Sequence, residues 1–243
     1  FIRNHNYVTR EQFQPKEHLI NLKNGVFNLK EKKLYPHSPQ HFFLGEIPVN
    51  YDPEAKLKQI KDFFETTLNK DDISILQEFI GDCLQPTYKY KKALMLVGPT
   101  DTGKSQLLNL LTKFLGHSNV SHESLFDLCH DKFSSIELYG KLANVCADID
   151  ATGIRATKVF LMVTGGDYIS GQKKHQDRFK FRSYAKLVFS CNKIPESKNT
   201  NPAYYNRWLV FECNNQIDKE ERIPFFFEKI STEEELSGLL NWA

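Results

Sequence analysis

The stretch Gly98-Pro99-Thr100-Asp101-Thr102-Gly103-Lys104-Ser105 fits G-x-x-x-x-G-K-[ST] at every fixed position and constrains the chain more than any other feature. Before it runs Ala93-Leu94-Met95-Leu96-Val97, an apolar segment of strand length, and after it Gln106 to Leu115 reads as a helix. Strand, glycine loop and helix in that order build a phosphate cradle. Gly98 and Gly103 permit backbone angles that a side chain resists, so the loop amides can converge on a polyphosphate. The helix N-terminus adds positive potential. Lys104 can reach the β- and γ-phosphates, and the Ser105 hydroxyl can enter a Mg²⁺ shell. The motif points to a nucleoside triphosphate and leaves open what its energy is used for.

The length of 243 residues suits one large domain, or one with a small companion. A hydrophobic content of 40% and a charged content of 26% are those of a soluble globular protein, and no apolar run nears the ~20 residues of a membrane helix. The chain opens on Phe1 rather than Met, which suggests a piece of a longer protein. The five cysteines form no C-x-x-C pair; Cys146, Cys191 and Cys213 lie in apolar runs and are expected to be buried thiols in a reducing cytoplasm. A net charge of +2 confines any nucleic-acid binding to a local basic patch.

Residues 1–50 are polar and turn-rich, with short strands expected around Asn24-Gly25 and an exposed connection at Leu34 to Pro39. His5, His18, His37 and His41 lack metal-ligand spacing and are expected at the surface. Residues 51–90 read as a small helical subdomain. Asp52-Pro53-Glu54 looks like a helix start, Leu57 to Leu68 follow at helical spacing, and a second helix runs from about Asp71 to Gln85-Pro86.

Residues 91–213 carry the core strands. Leu142 to Ala147 is a second strand and ends in Asp148-Ile149-Asp150. Acids at a strand end after a phosphate loop suit Mg²⁺ binding and orientation or deprotonation of water; Ile149 splits the pair, so which of Asp148 and Asp150 takes which role stays open. Lys186 to Asn192 is a third strand, its terminal Asn192 able to face a γ-phosphate, and Trp208 to Cys213 a fourth. Such strands between helical segments imply a parallel sheet with helices on both faces and ligands at the strands' carboxyl ends.

Between the second and third strands, Arg178-Phe179-Lys180-Phe181-Arg182 alternates basic and aromatic residues, which is a strand with one basic face. Lys173-Lys174-His175 precedes it at a possible hairpin tip suited to gripping phosphates. The same pattern also suits a solvated edge strand with protective charges. Arg207, before the last strand, fits either a γ-phosphate contact on a neighbouring subunit or a surface salt bridge. The tail from Gln216 is charged, with Phe225 to Phe227 able to pack back and Glu233-Glu234-Glu235 expected as a solvated helix start.

In motif order the chain resembles the superfamily 3 helicases, in particular the branch of poxvirus, phage and plasmid primase-helicases. The phosphate loop, the Asp148-Ile149-Asp150 acids, Thr164-Gly165-Gly166-Asp167 with the basic stretch after it, and Phe189-Ser190-Cys191-Asn192-Lys193-Ile194-Pro195 carry the resemblance, and Asn24 to Leu29 with Ile47 to Pro53 is similar to the domain preceding that core. The resemblance implies an α/β fold with an AAA+-like P-loop core, a central parallel sheet between helices, and a small mixed or helical N-terminal domain. The divisions it suggests are 1–50, 51–90 and 91–243. It implies an ATP-hydrolysing DNA helicase, using ATP and Mg²⁺ and working as a homo-oligomer, a hexameric ring, on single-stranded DNA in the cytoplasm, with a primase domain on the full-length chain. Ser105 and Asp148 would hold the metal, Lys173, Lys174 and His175 with Arg178 and Lys180 would contact DNA, Asn192 would be the sensor and Arg207 the finger. The family often shows two arginines before the last strand, where Asn206-Arg207 supplies one. A DNA-bound initiator or loader ATPase, and a small-molecule kinase sharing the loop, are the competing readings.

Overall fold

The computed structural model describes residues 13, 16–131, 133–147, 149, 157–174, 177–195, 201–218, 220 and 222–243. An antiparallel meander comes first: β1 (Leu19–Leu22), β2 (Gly25–Asn28) and β3 (Lys33–Tyr35). The expected exposed connection at Leu34 is instead its third strand, with Leu34 opposite Phe27 and packed against the main core. Asn24 closes the first turn by exchanging hydrogen bonds with the Tyr51 backbone, at 2.9 Å each way.

Two helices follow, α1 (Gln59–Thr67) and α2 (Lys70–Cys83). Helix α2 begins where a local cap exists, the Asn69 side chain accepting from the Asp72 amide at 2.8 Å. Helix α1 does not begin at Asp52-Pro53. The Asp52 carboxylate accepts from Glu54 N at 2.9 Å, but this closes only a turn. The α1 cap comes from far along the chain: the Glu235 carboxylate accepts from the amides of Lys58, Gln59 and Ile60, at 3.3, 2.9 and 3.0 Å. Glu235 is therefore buried, 6% exposed, and not the solvated residue expected; Glu233 does stay in solvent, paired with Lys23. Replacing Glu235 by Gln leaves one carbonyl oxygen for three donors and removes the charge that faces the helix N-terminus. Glu235→Gln is expected to cost about 1–3 kcal/mol, read as a lowered urea midpoint with an unchanged slope.

The core sheet contains β4 (Ala93–Val97), β5 (Val120–Ser121), β6 (Ala143–Cys146), β9 (Lys186–Cys191) and β10 (Trp208–Glu212). Its order is β10-β4-β9-β6-β5 and all pairings are parallel. Side chains alternate between two cores: Leu94, Leu96 and Val188 join α1, α2, α3 (Lys104–Leu115) and α8 (Glu233–Trp242) on one face. Ala93, Leu187 and Phe189 join α4 (Leu125–His130) and α5 (Lys158–Gly165) on the other. The sheet thus lies between helical layers, as its strand pattern implies. Among the described residues the other strands and α-helices are a hairpin, β7 (Tyr168–Gly171) with β8 (Phe179–Arg182), and two short helices, α6 (Pro202–Tyr205) and α7 (Phe226–Ile230). The Thr164-Gly165-Gly166-Asp167 motif is the end of α5: Gly166 sits at φ +73°, and the Asp167 amide reaches back to the Met162 carbonyl. Phe226 and Phe227 pack against the core, whereas Phe225 is exposed.

All five cysteines are thiols outside any disulfide; Cys191 and Cys213 are buried, but Cys146 is only half-buried at its strand end. Lys186 opens β9 fully buried, donating to the carbonyls of Gln85 (2.6 Å) and Thr87 with Asp82 at 3.8 Å, which ties the end of α2 to the sheet. Burial pushes its ammonium pKa down and the Asp82 carboxyl pKa up, each partly offset by the other's charge. Among the described residues no helix is long and apolar enough to cross a membrane.

Candidate functional site

The glycine loop leaves the carboxyl end of β4 between two neighbours. The Gly98 amide donates to the Cys191 carbonyl of β9 at 3.2 Å, and Cys213 N donates to the Val97 carbonyl at 2.7 Å. A Cβ on Gly98 would lie 2.0 Å from the Cys213 carbonyl oxygen, so the position takes no side chain. Gly103 adopts φ +86°, and a Cβ there would meet Thr67 Oγ1 of α1 at 2.9 Å. The end of α1 thus supports the loop directly. Helix α3 starts at Lys104, two residues ahead of the apolar periodicity, so Lys104 and Ser105 form its first turn.

Lys104 is buried, its Nζ donating to the Gly98 carbonyl at 2.6 Å and also to the Pro99 carbonyl, with Thr102 Oγ1 at 3.4 Å. Thr102 Oγ1 itself donates to the Pro99 carbonyl at 3.1 Å. Ser105, next along the first turn of α3, is exposed. The segment after β10 runs along the loop. Ile217 N donates to the Asp101 carbonyl at 2.9 Å, Gln216 Nε2 to the Thr100 carbonyl at 3.2 Å, and Arg222 pairs with the Asp101 carboxylate at 2.7 Å. Arg222 was not legible as a neighbour of the loop, because a lone arginine in a charged tail carries no periodic or motif signal.

Asn192 follows the end of β9 and is exposed. Because Val97 and Cys191 are in register, Asn192 and Gly98 lie side by side at one edge of the sheet. Asp148 and Asp150 lie outside the described residues. Ile149 between them donates its amide to the Ser190 carbonyl at 2.9 Å, which brings Ile149 to the same edge. Arg207 lies elsewhere. Its carbonyl accepts from Ala93 N at 2.7 Å, at the amino end of β4, a five-residue strand away from Gly98, or roughly 16 Å. Its guanidinium donates to the Thr164 carbonyl at 3.4 Å, within the last turn of α5, where a cation is favoured.

The basic stretch forms the hairpin its alternation implies. Lys180 and Arg182 of β8 are exposed and Phe181 is buried, with Phe179 half-buried. Phe179 and Phe181 meet the Tyr139 ring edge-on at 5.3 and 5.2 Å. Lys173, Lys174 and Arg178 are exposed on the connecting turn, and His175 lies outside the described residues. The hairpin and the phosphate loop are separate features: one projects from the α5 side, the other lies at the sheet edge.

A family model described as "D5 N terminal like" matches residues 2–69, and one described as "Family of unknown function (DUF5906)" matches residues 96–207. An apo structure of the NrS-1 C-terminal region superposes with a TM-score of 0.63 at 18% identity, covering 93% of this chain and 53% of that one. The likeness is one of fold. A second apo structure of the same region gives 0.59 at 18% identity, over 79% of this chain and 49% of that one. The chain spans about half the length of these solved chains. The findings accord with the superfamily 3 resemblance, since the D5-like match falls on the region likened to the domain ahead of the helicase core.

Proposed function

We propose that this chain is an ATP-dependent DNA helicase module of a viral, phage or plasmid replication protein, part of a primase-helicase, acting in the cytoplasm. The observation that carries this reading is the pairing of a formed phosphate cradle, closed by Cys191 and Cys213, with a two-stranded hairpin whose outer face is basic. Residues 98–105 bind the triphosphate, Lys104 stabilises charge on its terminal phosphates, and Asn192 orients the attacking water. Ser105, exposed beside the cradle, and Asp148 are the residues that would hold Mg²⁺, which neutralises phosphate charge when bound. Asp148 or Asp150 accepts the water's proton.

Arg207 is too far along the strand to serve its own chain's nucleotide, so it acts as the finger for a neighbouring subunit in a homo-oligomeric ring, a hexamer by resemblance. We read residues 1–50, 51–90 and 91–243 as the divisions of the module; buried residues from all three ranges share one core. Lys173, Lys174 and His175, with Arg178 and Lys180, grip the phosphates of single-stranded DNA. The test is the salt dependence of binding to an oligothymidylate. Lys173→Ala/Lys174→Ala is expected to weaken binding and to lower the slope of log K against log[salt] by roughly 1.4, about 0.7 for each phosphate no longer neutralised. An unchanged slope would remove the turn from the DNA site.

A further inference from the structure

The geometry points to the outer face of the hairpin as a base-stacking platform in which Tyr168, backed by Arg182, takes the face of an unpaired base of single-stranded DNA. This rests on the DNA-binding reading above and extends it from phosphates to bases.

The antiparallel register sets Tyr168 opposite Arg182 and Ser170 opposite Lys180. These four side chains share the exposed face, while Ile169, Gly171, Phe179 and Phe181 turn inward. The inner face is firmly seated. A Cβ on Gly171 would lie 2.6 Å from Ile136 Cδ1, and Ser135 Oγ donates to the Ser170 carbonyl at 2.9 Å. The outer face is therefore backed by a packed inner face, which holds its side chains in register for binding.

Tyr168 is 57% exposed, one of several exposed aromatics of the chain, and its place on the outer face of the hairpin sets it beside the strand's cations. The Arg182 guanidinium lies 4.6 Å from its ring centroid. The cation sits over one face of the ring, and with 57% of the residue exposed the ring keeps open surface that a base can cover. The four outer residues include two cations and no acid, so a polyanion meets complementary charge there; Asp167 and Asp177 adjoin the strands but lie outside this face. An aromatic face beside cations at strand spacing is suited to a strand whose bases are free, because a duplex hides its base faces and a peptide offers no matching row of phosphates.

The experiment compares binding of a fluorescein-labelled oligothymidylate with that of an abasic strand of equal length and charge, at one salt concentration. The wild-type protein is expected to prefer the thymidylate by roughly tenfold, the order of one base–aromatic stack. Tyr168→Ala is expected to lose that preference while binding the abasic strand as before, and Tyr168→Phe to keep it. Because Tyr168 is exposed, an unchanged melting temperature shows that Tyr168→Ala leaves the fold in place. Equal wild-type binding to both strands overturns the platform and leaves the phosphate grip standing. Binding to neither strand overturns the DNA reading itself.

Discussion

Lys104→Ala is expected to lower ATP turnover at least about a hundredfold while the protein stays folded. The side chain is buried against the loop it serves, donating to the carbonyls of Gly98 and Pro99. Under the proposed function its removal deletes the lysine that meets the γ-phosphate, and nothing else in residues 98–105 carries positive charge. The fold tolerates the change for local reasons. Alanine is a good residue in the first turn of a helix, and the Pro99 carbonyl keeps the Thr102 hydroxyl as a donor. Phosphate release at saturating ATP and the thermal midpoint, measured on the same preparation, separate loss of chemistry from loss of structure.

Arg207→Ala is expected to behave differently, keeping ATP binding but losing roughly 10³–10⁵ in turnover. The distinction follows from the sheet. Gly98 lies at the carboxyl edge, whereas Arg207 hydrogen-bonds to Ala93 at the amino edge and reaches Thr164 at the end of α5. No rotamer of arginine spans the length of β4, so under the proposed function the residue acts on the nucleotide of a second subunit. Mixing provides the decisive form of the experiment. Lys104→Ala and Arg207→Ala are each expected to be inactive alone, but an interface that joins the intact loop of one to the intact arginine of the other would have every part. Partial recovery of turnover on mixing supports action across subunits, and no recovery in mixed oligomers contradicts it.

What was readable from residues alone is what local patterns encode. The glycine loop, the apolar strands at 93–97 and 186–191, and the alternating Arg178 to Arg182 all depend on neighbours within a few positions, and each appears in the structure as the expected element. The hairpin's inward and outward faces follow from period two alone. Where the structure departs from expectation, the deciding partner is distant in the chain. Asp52 has the chemistry of a cap, yet α1 starts at Gln59 because Glu235, 175 residues beyond Ile60, supplies the acceptor. The row Glu233-Glu234-Glu235 looks uniformly solvated in one dimension, but the turn of α8 puts the third inside and the first outside. Lys186 reads as a polar strand start, and its burial against Gln85 and Thr87 depends on how α2 ends. The pairing of Arg222 with Asp101 is of the same kind, an approach across chain that no spacing rule anticipates.

At the centre of the proposed function, nucleotide hydrolysis at the Gly98–Ser105 loop is coupled to single-stranded DNA. The measurement that tests this most directly is the steady-state ATPase rate of the oligomeric wild-type protein, at low salt, with and without an oligothymidylate. The expected rate rises with DNA to a plateau and vanishes in Lys104→Ala. A robust rate that depends on Lys104 yet stays flat across the DNA titration would contradict the coupling, leaving a phosphate-loop enzyme whose basic hairpin serves something else.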